Sequence, residues 1–189
     1  MKMSKRGEYA MRALIDLGIA QECGRDLVKI GEIAQKELLP MKFLEQILNQ
    51  LREAGFIESK RGKQGGYFLA QPMSKIKIGH VVRLIDGPLA PISCVSVTAY
   101  ERCTCPDEEH CGLRMLMLDV RNAIANILDR YSLAQVVEVT LRKLKRDNVQ
   151  PSFAEAMMGV TALDAPAAKD PIKRKASPKT NSKTKKATS

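Results

Sequence analysis

Residues 41–70 read MKFLEQILNQLREAGFIESKRGKQGGYFLA, and this stretch decides the fold. Leu44, Ile47, Leu48 and Leu51 recur at i, i+3, i+4 and i+7, which puts four apolar side chains on one face of an α-helix. That spacing predicts a helix over about residues 41–54. Pro40 is placed in its first turn, where a missing N–H is no loss, and Gly55 ends it. Two half-apolar runs, 56–59 and 67–70, then flank the basic, glycine-rich stretch from Lys60 to Gly66. Such runs about a glycine turn predict a β-hairpin with a positively charged tip.

Working outward, Ala10, Ala13, Leu14, Leu17 and Ala20 predict a first helix over residues 4–22, and Ile30, Ile33 and Ala34 a short second one over 30–37. Three helices followed by a hairpin is the layout of a winged helix-turn-helix, so the fold is predicted to be mainly α. Downstream, a fourth helix is expected at 76–86, and Gly87-Pro88 breaks the chain into a loop over 87–111. A long helix follows at about 113–131, with Leu113, Met117, Val120, Ile124, Ile127 and Tyr131 at alternating spacings of four and three. A helix of that length fits a seam with a second helix, and homodimerisation is preferred over packing within the chain. Ser132 is placed to cap a last helix over 133–146. The expected organisation is a DNA-binding domain over 1–86, a cysteine-rich sensor loop over 87–111, dimerisation helices over 112–147, and a disordered Lys-rich tail over 148–189.

Composition narrows the function. The 189 residues are 44% apolar and 4% aromatic, without Trp, which disfavours a large all-β or carbohydrate-binding architecture. No apolar run approaches bilayer length and the first residues lack a signal-peptide core, so a cytoplasmic location and no membrane partner are expected. The net charge of +10 is uneven: residues 1–80 carry +5, residues 81–168 carry −2, and residues 169–189 carry +7. A basic amino-terminal domain suits a polyanion. The predicted third helix has the two faces a DNA reader needs: opposite its apolar stripe stand Lys42, Glu45, Gln46 and Asn49, whose side chains match base-edge donors and acceptors in the major groove. Lys60, Arg61 and Lys63 at the hairpin tip suit the DNA backbone or the minor groove. Catalytic residues are not expected. Only His80 and His110 are available for proton transfer, and no phosphate loop, H-E-x-x-H or nucleophile elbow occurs.

Four of the five cysteines fall in the loop as Cys94-x8-Cys103-x-Cys105-x5-Cys111. Thiolates are soft ligands that favour iron–sulfur clusters, zinc or copper(I). The C-x-C step is tighter than the paired knuckles of structural zinc sites, which makes zinc the weaker reading. Reduced thiols in a redox- or partner-sensing regulator without metal form the alternative, and an iron–sulfur electron carrier or enzyme a more distant one. Cys23, near the end of the first helix, reads as a small packed side chain.

The segments SKRGEYAMRAL from Ser4, FLEQIL from Phe43, LREAGFI from Leu51 and the Arg61-Gly-x-x-Gly-Gly-Tyr turn together resemble the Rrf2 family, which includes regulators of the IscR, NsrR and BadM types. The resemblance runs from Met1 to about Leu144. It implies a homodimer on a palindromic duplex operator, with the helix at 113–131 as the dimer helix. It places Lys42, Phe43, Glu45 and Gln46 at or near the base-reading surface and Arg61 in the minor groove. It also implies an iron–sulfur cluster, 2Fe–2S or 4Fe–4S, held by Cys94, Cys105 and Cys111, with Cys103 as an alternate ligand. Some members use a His three residues after the last Cys, a position held here by Arg114, and His110 does not match it. Others use an amino-terminal carboxylate of the partner subunit, a position matched by Glu8.

Overall fold

The computed structural model describes residues 3–151 and residue 153. Its elements run α1 (Lys5–Glu22), α2 (Ile30–Glu37), α3 (Met41–Glu53), β1 (Ile57–Lys60), β2 (Gly66–Leu69), α4 (Ile78–Asp86), a 3-10 turn (Ser93–Val95), α5 (Gly112–Arg130) and α6 (Leu133–Arg146). This is a winged helix-turn-helix extended by a long helix and a last amphipathic one. Pro40 stands just outside α3 as its N-cap rather than in its first turn, and α4 begins two residues later than the periodicity suggests.

The core is built where the stripes meet. Leu44, Ile47, Leu48 and Leu51 of α3 are fully buried against Ala10, Ala13 and Leu14 of α1 and Ile33 of α2. Burial of each large side chain contributes about 1.5–3 kcal/mol, so the α3 stripe alone fixes which face of that helix turns outward. Gly55 carries the chain out of α3 at a φ of +74°. The strands pair antiparallel with Ile57 opposite Leu69 and Lys60 opposite Gly66. Val28 forms an isolated antiparallel bridge to β2, exchanging backbone hydrogen bonds of 3.1 and 2.8 Å with Tyr67. The hairpin is thereby tied to the segment between α1 and α2.

Ser4 caps α1 by accepting from the Gly7 amide at 2.9 Å, and Gln135 reaches back to the Ser132 amide at 2.9 Å as half of a capping box on α6. Helix α6 packs on α1 through Leu133 and Val137. The chain after α6 returns to the core, where Phe153 is 3% exposed beside Arg25 and Lys36. Phe153 falls in the segment expected as tail. The rest of that expectation, beyond residues 148–151, lies outside the described residues.

Candidate functional site

The outward face of α3 follows from the buried one. With the Leu/Ile stripe inward, Lys42, Glu45 and Gln46 are exposed on α3, while Phe43 and Asn49 lie half-buried at its margins. Phe43 is held by an edge-on contact with Tyr9 of α1, ring centres 5.9 Å apart. Lys5 and Arg12 lie 5.8 and 5.7 Å from the Tyr9 ring centre, so cations flank the root of α3. Lys60, Arg61 and Lys63 are all exposed at the hairpin tip, where the Gly65 amide donates to the Gly62 carbonyl at 2.9 Å and tightens the turn. The eight residues predicted to touch DNA thus lie on one exposed helix face, its margins and one hairpin tip.

The cysteines come from three settings. Cys94 is buried in the 3-10 turn, Cys103 and Cys105 lie in the irregular loop, and Cys111 is the N-cap of α5. The thiols act on one another's titration, most strongly Cys103 and Cys105. Burial pushes the Cys94 thiol up from its ordinary value. The hydrogen bond between Cys103 and Cys105 pulls Cys103 down and pushes Cys105 up to about 11. The resemblance leaves Cys103 as the extra thiol, and in the fold it lies half-buried in the irregular loop beside the exposed Cys105. The loop is braced by Glu108, which accepts from the Tyr100 hydroxyl at 2.9 Å and pairs with Arg114 at 3.2 Å. Arg121 of α5 donates to the Val95 carbonyl at 3.2 Å, tying the 3-10 turn to the long helix. His110 is turned toward Asp107, with Nδ1 2.8 Å from its carboxylate.

Among the described residues, no three His, Cys, Asp or Glu side chains stand together closely enough to hold a metal ion as placed. Glu8 pairs with Lys5 at 2.6 Å and with Arg12 at 3.6 Å, and the Lys5 hydrogen bond holds its carboxyl below the usual range. Cys23 packs half-buried against the core, and burial raises its thiol value.

Helix α5 has no buried residue along its 19 positions. Ala125 and Leu128 pack toward α4, while Leu113, Leu116, Val120, Ile127 and Tyr131 face outward, with Leu113 and Leu116 each 57% exposed. Leu116, not the half-buried Met117, continues the outward stripe.

A family model described as an iron-dependent transcriptional regulator, Rrf2, matches residues 3–139. A putative HTH-type transcriptional regulator, rrf2-like, from Rhodobacter capsulatus is 37% identical over 139 residues, 71% of this chain and 91% of that protein. The structure of CymR, the global cysteine regulator of B. subtilis, is similar at 29% identity and a TM-score of 0.61, covering 74% of this chain and 98% of that one. The structure of IscR from T. potens is similar at 28% identity and a TM-score of 0.57, covering 74% and 88%.

Proposed function

The chain belongs to the Rrf2 family of DNA-binding transcription regulators, and from that premise we propose that it acts as a homodimer on a palindromic operator, with its DNA affinity set by the state of the cysteine loop. The observation that carries the dimer is α5, whose outward apolar stripe has no cover within the described residues. Each α3 enters a major groove, where Lys42, Glu45, Gln46 and Asn49 read base edges and Phe43 seats the helix root. Arg61 reaches the adjacent minor groove, and Lys60 and Lys63 hold phosphates. The lysine-rich segment at 169–189 adds salt-sensitive affinity without base selectivity. No described helix is long and apolar enough to cross a membrane, and we place the protein in the cytoplasm with its DNA.

The donor chemistry of the loop fits an iron–sulfur cluster: four soft thiols in one short segment, one of them buried and one at the start of the dimer helix. Cys94, Cys105 and Cys111 would hold it, with Cys103 as the alternate thiol and Glu8 of the partner subunit as the fourth ligand. As placed the thiols do not close on one centre, so the loop would have to draw together for the three to share a cluster. Bound, the cluster supplies a redox-sensitive, labile crosslink at the amino end of α5. A second reading has the same thiols act without metal. The Cys103–Cys105 pairing favours it, as does similarity to a protein described as a cysteine regulator.

The two separate on anaerobically purified protein. Visible absorbance, stoichiometric iron and acid-labile sulfide support the cluster. A colourless protein whose operator affinity still responds to thiol oxidation supports the second reading.

A further inference from the structure

Helix α4 packs on α1 and α5, and polar contacts tie it to both and, through one side chain, to the reading helix. Towards α5, Arg83 donates twice to the Asp129 carboxylate, at 2.6 and 2.7 Å. Asp129 lies so close over α4 that a Cβ on Gly79 would stand 1.9 Å from its Oδ1. Towards the reading head, Gln50 of α3 donates from Nε2 to the Leu84 carbonyl at 3.0 Å. That carbonyl lies in the last turn of α4, where helical partners run out, so the Gln50 side chain serves as a cap supplied by another helix. The Gln50 Oε1 is buried without a partner, which leaves the amide one productive orientation.

Two residues on, Asp86 accepts the Ser4 amide at 2.9 Å and the Ser4 hydroxyl, and a Cβ on Gly7 would stand 2.5 Å from its Oδ2. A carboxylate at the carboxyl end of its own helix opposes that helix dipole. Asp86 is stabilised instead by the amino end of α1, which it faces. Its position therefore serves the contact between helices rather than α4 itself. Immediately afterwards Gly87-Pro88 opens the cysteine loop.

We propose that Gln50 and Asp86 set the half-site spacing the dimer accepts, by locking the reading head to the last turn of α4, which Arg83 and Asp129 lock in turn to α5. This rests on the reading of a dimer on a palindrome. Each base pair added between half-sites turns one of them by about 34° and shifts it by about 3.4 Å relative to the other. A dimer whose reading helices are held rigidly to its seam cannot follow such a change. One whose joint is loosened can. Neither Gln50 nor Asp86 is among the residues assigned to the groove, so the two act as positioning residues.

The test uses the full-length dimer and an operator that the unmodified protein selects from random duplex DNA. Affinity is measured for that operator, for versions with one base pair added or removed at the centre, and for a single half-site. The unmodified protein is expected to lose about tenfold or more per altered spacing, the size of a mismatch penalty. Gln50→Leu and Asp86→Ala are each expected to lose less than about threefold, with half-site affinity within about twofold of the unmodified protein. Gln50→Glu, which sets a carboxylate against the Leu84 carbonyl in nearly the same volume, should behave like Gln50→Leu. Full spacing discrimination in these variants overturns the inference alone. A fall in half-site affinity that matches the fall on the full operator also overturns it, because the residues would then only hold the domain together. Indifference to spacing in the unmodified protein overturns both this inference and the palindrome reading.

Discussion

Arg83 of α4 and Asp129 of α5 meet in a two-pronged ion pair across 46 positions of sequence, and the guanidinium holds the Asp129 carboxyl below its ordinary value. Both side chains keep contact with water, at 30% and 41% exposure, so the pair contributes about 1 kcal/mol rather than the full value of a buried one. Because the folded-state value is depressed, this stabilisation is present above the ordinary Asp value near 4 and is lost as pH falls through the folded one. Asp129→Asn should lower the melting temperature by about 2–4 °C at neutral pH. As pH falls through the depressed folded-state value of Asp129, the gap between the variant and the unmodified protein should close. A pH-independent gap would mean that the pair does not act through charge.

Asp16 titrates in the opposite sense. It is 2% exposed on α1, and burial pushes its carboxyl up to about 7, with the nearby Glu37 adding to the rise and the Lys36 hydrogen bond opposing it. Arg12 pairs with Glu37, and the Phe153 ring lies 5.0 Å from the Lys36 Nζ, completing the surroundings. A carboxyl raised on folding binds a proton that the unfolded chain releases near pH 4, so stability falls as pH rises from about 4 towards 7. Asp16→Asn should flatten that slope in denaturant titrations across this range. Parallel curves for the two proteins would show that Asp16 stays ionised in the fold.

Base reading is tested by two substitutions with different signatures. Glu45→Ala should change preference at one base pair by about 1–3 kcal/mol, whereas Arg61→Ala should weaken binding across sequences. Competition assays against single-base operator variants measure both. Unchanged affinity and selectivity in the two variants would remove α3 and the hairpin tip from the grooves.

Most of this architecture is legible in the sequence, because its elements are specified by local periodicity. The α3 stripe, the glycine-flanked hairpin and the Ser132 cap each fall within a residue or two of where the spacing puts them. Partnership across long separations is not legible. Arg83 with Asp129, Gln50 with Leu84 and Asp86 with Ser4 are ordinary polar residues until the helices are docked. Asp16 is an intermediate case, a charge set amid the apolar Ala13, Leu14 and Leu17, and that break in the pattern signals a buried pair. Phe153 sits among polar and small residues with no periodic support, so its burial became visible only in the fold. Which thiol is buried could not be read from spacing, since Cys94 owes its burial to the 3-10 turn held against α5.

The lysine-rich segment is tested by deletion of residues 165–189. The slope of log K against log salt should become shallower by about 0.9 for each phosphate that the segment neutralises, with base selectivity unchanged. An unchanged slope would mean that the segment does not touch DNA.

The central claim is that the cysteine loop governs operator affinity, and equilibrium binding to the selected operator tests it most directly. Affinity is measured for anaerobic protein with iron and sulfide intact, for the same protein after their removal, and for Cys94→Ala, Cys105→Ala and Cys111→Ala. The account predicts a shift of about tenfold or more on removal, corresponding to a coupling of about 1–3 kcal/mol. The three variants should be fixed at the cluster-free value, Cys103→Ala should retain most of the colour and the shift, and Cys23→Ala should behave as the unmodified protein. Equal affinity for every tested operator in all of these states would contradict it.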